Sequence, residues 1–418
     1  MIVVLLVACL TACQGADESG DWLNWARAIG DAELSLRMGD FQADLSGELV
    51  LKGFFFAPHA PGVSMEEAAL RANHYDPNRP VSTPQMGGRF ETMLDLSYQD
   101  WLEGSVDFRI DRGISTESGN EFDARLEQYW LRVTPPGQGY VHAQLGKFAA
   151  PFGNFISRSS ATQNPFPTMP LPYDHVTSFV YATDTPTNIL SRRDSPRSKD
   201  QRVPVWEELY GHGAMVFGNA GDIRYAAAVM NSAPASFPYD WKFLNTDYRI
   251  PSVYLRASMA VDISTTLGAS FARGPYSKWN DYWIPPGREA TDFNQTVWGV
   301  DASYSIGHLE LFAEGMFSRF QTAFANSLEL YTYYAEAKVT FLPGFYGALR
   351  LGQIRFGTMR DASGASVRWD RDVTRYEVGS GWFFTKNFFV KASYQVNDVL
   401  GGDRPTESML MLEAVLAY

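Results

Sequence analysis

Six basic side chains crowd into one stretch of the chain. Arg158, Arg192, Arg193, Arg197, Lys199 and Arg202 all fall between Ala150 and Trp206, with Asp174, Asp184, Asp194 and Asp200 interspersed. Cationic groups held in a narrow, low-dielectric passage focus a positive field and attract anions, so this stretch has the chemistry of an ion-selecting rim. A solvated external loop would carry the same residues for solubility alone. Catalysis has less to stand on. The histidines His59, His74, His142, His175, His212 and His308 are scattered. No nucleophile elbow, phosphate-cradling loop, haem-attachment sequence or zinc-ligand spacing occurs. A hydrolase would need a convergent Ser, His and acidic set, and none can be assembled from these residues. An enzyme is not expected, and no cofactor is implied.

The compartment follows from the first residues. Ile2 to Leu10 is a short apolar run, followed by small residues and the polar stretch Gln14 to Asp21. Residues 1–20 therefore read as an export signal, although basic residues ahead of the apolar core are missing. The two cysteines of the chain, Cys9 and Cys13, both lie inside it, so the mature chain is expected to hold no disulfide and no thiolate metal site. Leu10-Thr11-Ala12-Cys13 resembles a bacterial lipobox, which implies acylation at Cys13; ordinary cleavage nearby is the alternative. The net charge of -12 argues against a nucleic-acid partner. Beyond the N-terminus no stretch approaches the roughly 20 apolar residues that a spanning helix needs.

What could position those charges is β structure. Side chains of a strand point alternately to opposite faces. In the final segment Leu410, Leu412, Ala414, Leu416 and Tyr418 share one face, and Met409, Met411, Glu413, Val415 and Ala417 share the other. One face is wholly apolar and ends in an aromatic ring, as suits hydrocarbon bounded by a membrane interface. The pattern recurs along the chain. Leu45, Leu49, Leu51 and Phe55 oppose Asp44, Ser46, Glu48 and Lys52, and Tyr331, Tyr333, Ala335, Ala337, Val339 and Phe341 oppose Thr332, Glu336, Lys338 and Thr340. About sixteen such segments occur, each near the ten residues of a tilted membrane strand. They centre near residues 50, 94, 107, 129, 143, 214, 226, 256, 268, 300, 312, 335, 350, 378, 391 and 413.

The links between segments alternate in length. Short turns rich in Gly, Pro, Asn and Asp fall at Gln99-Asp100-Trp101, Pro135 to Gly139, Asn219 to Asp222, Val261 to Ser264, Gly307, Pro343-Gly344 and Thr385 to Asn387. Longer links separate them. The expected fold is all-β, a transmembrane antiparallel up-and-down β-barrel of about sixteen strands with short periplasmic turns and long extracellular loops. A soluble sandwich has no reason to segregate its loops in this way. The barrel is assigned to 43–418, preceded by a periplasmic or lumenal leader at 21–42 carrying Trp22 and Trp25. Trp101, Tyr140, Tyr304, Phe341, Phe345 and Phe384 fall beside short turns, where an interfacial girdle would sit.

Parity also nominates the wall of a wet interior. Lys52, Arg89, Arg109, Arg256, Lys338, Arg350 and Arg375 would line it together with Glu91, Asp107, Glu314 and Glu336. Opposed rings of both signs would set a transverse field; salt-bridged pairs would only stiffen the wall. The stretch 150–206 is far longer than a surface connection needs, and loops beyond about 15 residues are usually functional or disordered. A barrel of about sixteen strands leaves an aqueous channel unless something narrows it. Folded inward, this loop would form the constriction, with its six basic residues at the rim.

Gly139-Tyr140-Val141-His142-Ala143-Gln144-Leu145-Gly146-Lys147-Phe148-Ala149-Ala150-Pro151-Phe152-Gly153 resembles the strand-to-loop passage of the phosphate-selective porin O/P family, where Gly-Lys-Phe followed by Pro-Phe-Gly enters the constriction loop. The resemblance covers this region alone. It implies a water-filled pore in the outer membrane of a Gram-negative-type bacterium, in contact with outer-membrane lipid. It further implies passage of small hydrophilic solutes or ions by passive diffusion, basic residues drawing in anions, and often a homotrimer. The chain departs from the phosphate-binding pattern, since no lysine cluster or one-sided arginine ladder is visible. The alternative from another class is a sleeve that houses a partner such as a multihaem cytochrome in an electron conduit.

Overall fold

The computed structural model describes residues 34–56, 85–112, 123–136, 140–193, 201–206, 209–236, 251–277, 284–325, 327–401 and 407–418. Alternating apolar and polar residues over eight to sixteen positions form the long strands, and four residues form the short first one. These are β1 (Ser35–Met38), β2 (Phe41–Phe56), β3 (Gln85–Tyr98), β4 (Leu102–Arg112), β5 (Asp123–Val133), β6 (His142–Ala149), β7 (Tyr210–Ala220), β8 (Ile223–Met230), β9 (Ser252–Ala260) and β10 (Thr265–Pro275). They continue with β11 (Asn294–Ile306), β12 (Leu309–Phe320), β13 (Leu328–Leu342), β14 (Phe345–Phe356), β17 (Val373–Phe383), β18 (Phe388–Val399) and β19 (Glu407–Ala417). A small hairpin, β15 (Thr358–Arg360) with β16 (Ser366–Arg368), stands apart in the link between β14 and β17.

Each of the long strands pairs antiparallel with its sequence neighbours, and β19 returns to pair with β2, Leu412 opposite Gly53 and Leu416 opposite Leu49. The sixteen strands thus form a closed antiparallel barrel with no free edge, the arrangement that satisfies backbone groups in hydrocarbon. No helix among the described residues is long and apolar enough to cross a membrane, which has no bearing on a barrel that crosses with strands. Short turns close one end, where Gly307 and Gly344 take positive φ (54° and 83°) that a side chain would strain. The long links gather at the other end. Every expected strand centre falls inside a strand.

The two faces of the wall differ as the alternation requires. Leu49, Leu51, Leu255, Val300, Leu349 and Leu412 are exposed on the outside, while Lys52, Arg109, Asp301, Glu336 and Glu413 point inward and are buried. Near the short turns Phe341, Phe345 and Trp382 pack in sequence with ring centroids 6.1 and 5.4 Å apart. An apolar jacket of this height around a charged interior is the construction of a membrane-spanning barrel.

The stretch 21–42 assigned to a leader overlaps the sheet. Its residues 21–33 lie outside the described residues, but Ser35–Met38 is a strand that turns at Gly39 and pairs with Phe41–Asp44. It occupies the stretch of β2 that β19 leaves unpaired, and Leu45 N–H bonds the Leu34 carbonyl at 2.9 Å. Residues 35–42 therefore belong to the sheet. The stretch 1–20 read as an export signal, Cys13 included, also lies outside the described residues.

Candidate functional site

Between β6 and β7 the chain enters the lumen. It carries a 3-10 turn at Ile156–Arg158 and two short helices, α1 (Leu171–Asp174) and α2 (Pro186–Arg193). The apolar residues of this segment drive its position. Phe152, Phe155, Tyr173, Val203, Val205 and Trp206 pack with Tyr254, Val297, Met316 and Tyr334 of the inner wall in one cluster. Nearer the long-loop end Leu171, Phe179 and Ile189 pack with Phe293, Phe320, Leu330, Ile354 and Trp369. Packing on this scale, near the density of a soluble core, fixes a segment in one conformation.

Polar pins then secure the loop to one side of the wall. Arg350 on β14 contacts Glu336 at 3.0 Å and Glu377 at 3.3 Å, and donates to the Thr168 carbonyl and to Asn164 Oδ1 at 3.2 and 3.1 Å. Arg158 closes the same network from the loop, pairing with Glu336 at 2.7 Å and stacking on Phe312 at 3.9 Å. Arg375 donates to Asp174 at 2.6 Å and to the Met169 carbonyl at 3.2 Å. Lys52 reaches the Pro167 carbonyl at 2.9 Å and Glu413 at 3.4 Å. Lys391 pairs with Glu413 as well and donates to the Ala161 carbonyl. On β12 Glu314 accepts from the backbone N–H groups of Asn154 and Phe155 and from the Tyr173 hydroxyl. The inward charges of β12 to β19 and β2 thus hold the loop's backbone.

Strands β3 to β5, next to β2 in the wall, carry a separate network. Arg89 and Arg109 both contact Asp111, at 2.9 and 2.5 Å, and Arg125 joins them at 3.3 Å. Glu127 lies 3.3 Å from Arg109. Asp107 is buried beside them on β4, whereas Glu91 on β3 is only half-buried. Arg256 pairs with Asp301 at 2.7 Å and donates to Ser270, and Lys338 pairs with Glu310 at 2.9 Å near the short turns.

Below the loop, on the short-turn side, a cavity of about 450 Å³ remains. Phe152, Ile156 and Ser157 roof it, and Phe217, Asn219, Arg224, Arg256 and Ser258 form its walls. His142 and Tyr225 also line it, and no carboxylate is among its lining residues. Along the exposed edge of the loop stand Ser157, Ser160, Thr162 and Gln163, which carry no charge.

The basic residues nominated for the rim part company here. Arg158 is in the lumen but turned into the wall. Arg192 is held by Asp184 at 2.7 Å within its own loop. Arg193 donates to the Arg368 carbonyl of the β15–β16 hairpin at 3.1 Å, and Arg202 is buried, donating to the carbonyls of Val180 and Ala235. Arg197 and Lys199 lie outside the described residues. The partners of the loop were not visible in the sequence: Asn164, Thr168 and Tyr173, and the carbonyls of Ala161, Pro167 and Met169, carry no motif. Asp262 lies exposed in the β9–β10 turn, where it accepts from the N–H groups of Ser264 and Thr265. Among the described residues no group of three or more His, Cys, Asp or Glu could hold a metal.

The fold is that of the outer-membrane porins. OmpF of Salmonella typhi superposes with a TM-score of 0.56 at 12% identity, covering 92% of this chain and 100% of that one. OprB of Pseudomonas putida gives 0.57 at 10% identity over 90% of this chain and 94% of its own. An anion-selective porin from Comamonas acidovorans gives 0.53 at 9% identity over 90% and 100%. No protein-family model matches the sequence, and no curated protein does.

Proposed function

We propose that the protein is a porin of the Gram-negative outer membrane, passing small hydrophilic solutes and ions by passive diffusion with a preference for anions. The observation that carries the reading is a cavity with arginine, histidine and serine in its wall, inside an apolar-jacketed barrel and roofed by an inward loop whose exposed edge is hydroxyl and amide. Water-filled barrels of this size conduct unless plugged, and a packed loop narrows them without closing them. The anion preference rests on Arg224 in the cavity wall, since no carboxylate lines that cavity, and less on Arg256, which is paired with Asp301, or on the loop arginines, which are engaged by local partners. The resemblance of residues 139–153 to the phosphate-selective O/P passage supports the same reading, since Lys147 lies in the last residues of β6 and Pro151-Phe152-Gly153 opens the loop. A lumenal cytochrome fits poorly, because the loop's own apolar clusters occupy the space it would need. Assembly as a homotrimer is the expectation for oligomeric state, and native mass measurement in detergent reads it.

The test is a planar bilayer. Purified protein should insert with stepwise, ohmic conductance, and in a salt gradient the reversal potential should take the sign of anion preference. Arg224→Glu should move that potential toward cations. Absence of conductance steps from folded protein would overturn the channel reading; an unmoved potential would remove Arg224 from it.

A further inference from the structure

On the outside of β10 to β14, three cross-strand rows lie one above another. The row nearest the long loops runs Arg273, Thr296, Arg319, Glu329. Two residues toward the short turns the row is aromatic: Phe271, Trp298, Phe317 and Tyr331, with Arg355 opposite Tyr331 at its end. Two residues lower come Ala269, Val300 and Gly315, then Tyr333. Arg273, Arg319 and Arg355 are exposed and share the parity of the outward-facing Leu267, Val300 and Leu351. Small residues under large rings leave a hollow of about 810 Å³, walled by the Phe271–Trp298 and Phe317–Tyr331 pairs.

We propose that this face is a binding site for an anionic, phosphorylated lipid of the outer leaflet. Its acyl chains would lie in the hollow and its phosphates against the arginines. The order of the rows matches that of such a molecule. Aromatic rings mark the headgroup boundary, cations above them stand where phosphate lies, and the hollow below is at hydrocarbon depth. Arginine suits the task because its planar fork binds phosphate bidentately. Arg273 and Arg319 sit two strands apart, about 10 Å at the usual strand spacing, so one headgroup with two phosphates can engage both. The Arg319 partner within the protein is weak competition: Glu329 lies 3.6 Å away and both side chains are about half exposed, 52% and 41%. Arg355 is oriented by its Nε bond to Gln353 Oε1 at 3.0 Å, which leaves the far end of its guanidinium outward. A second copy of the chain would bury the hollow too, but would gain nothing from this row of like charge.

The experiment uses the full-length protein folded in a zwitterionic detergent. Native mass spectrometry follows titration with diphosphorylated lipid A, with phosphatidylcholine or with inorganic phosphate. Lipid A should bind at one site at least tenfold more tightly than phosphatidylcholine. The triple variant R273A/R319A/R355A should lose that tenfold margin, the triple Arg→Lys variant, which keeps the charge without the bidentate fork, should keep only part of it, and Gly315→Leu, which fills the hollow without touching charge, should weaken lipid A severalfold. Inorganic phosphate at millimolar concentration should not displace the lipid. Equal affinity of lipid A for the wild type and the triple alanine variant would overturn the proposal. So would full displacement by phosphate, or a Gly315→Leu variant that breaks an oligomer while binding lipid A normally. Conductance is not read here, so the outcome is separate from that of the channel assay.

Discussion

Replacement of Arg350 by alanine removes the centre of the lumenal network. The guanidinium lies between Glu336 and Glu377 and also binds the Thr168 carbonyl and Asn164, with its side chain 1% exposed. Deleting one partner of a buried ion pair leaves charge uncompensated and costs about 3–5 kcal/mol. Arg158 still neutralises Glu336, and the Thr168 hydroxyl still bonds Glu377, so the lower end, about 3 kcal/mol, is expected. That is roughly a 150-fold shift in the equilibrium it governs. Two equilibria are affected. Global unfolding in urea should move to a lower midpoint, and loop detachment should become frequent enough to see as flickering, larger single-channel currents. The control is Arg350→Met, which restores packing volume but not the charge and should behave like alanine in the bilayer. If R350A matched the wild type within about 0.5 kcal/mol in urea and gave quiet, unaltered currents, the loop would be held by its apolar clusters alone and the pinning argument would fail.

Glu413→Gln leaves Lys52 and Lys391 facing each other without their shared carboxylate, and a loss of about 2–3 kcal/mol in urea stability is expected. Alanine at Arg192 and Arg193 together should leave the reversal potential where it is, since one pairs with Asp184 and the other with a backbone carbonyl; a shift toward cations would return them to the pore. The Asp262 carboxyl is held below the ordinary aspartate range, first by the Ser264 N–H. Because its pKa is depressed on folding, its support for the β9–β10 turn is complete above the ordinary aspartate pKa and is lost as pH falls through the depressed one. The protection factor of the Thr265 amide, the free-peptide exchange rate divided by the observed rate at the same pH, should therefore fall on acidification in the wild type and be low throughout in Asp262→Asn.

The barrel was legible because its physics is local. A strand with hydrocarbon on one side and water on the other must alternate, and Leu410, Leu412 and Glu413 declare their faces without reference to any distant residue. The same parity placed Lys52, Arg109, Glu336 and Arg350 on the inside. It could not say which of them meet, because cross-barrel partners depend on register and on the loop between. The loop's contacts were hidden for a further reason. Lysine and arginine bind its carbonyls, and every residue has a carbonyl. Ser35–Met38 was missed since four residues are too few to show a period.

The seam between β19 and β2 sets an order on assembly. Leu416 meets Leu49, and Tyr418 exchanges backbone hydrogen bonds with Gly47 at 3.1 and 3.0 Å, joining the two extremes of the sheet. Contacts of such sequence separation form late, after the loop entropy of everything between has been spent. Until then β2 and β19 are sticky margins, open to pairing with another chain. A chaperone or an insertion machine that shields those margins is what a polypeptide closed in this way requires on its route to the bilayer.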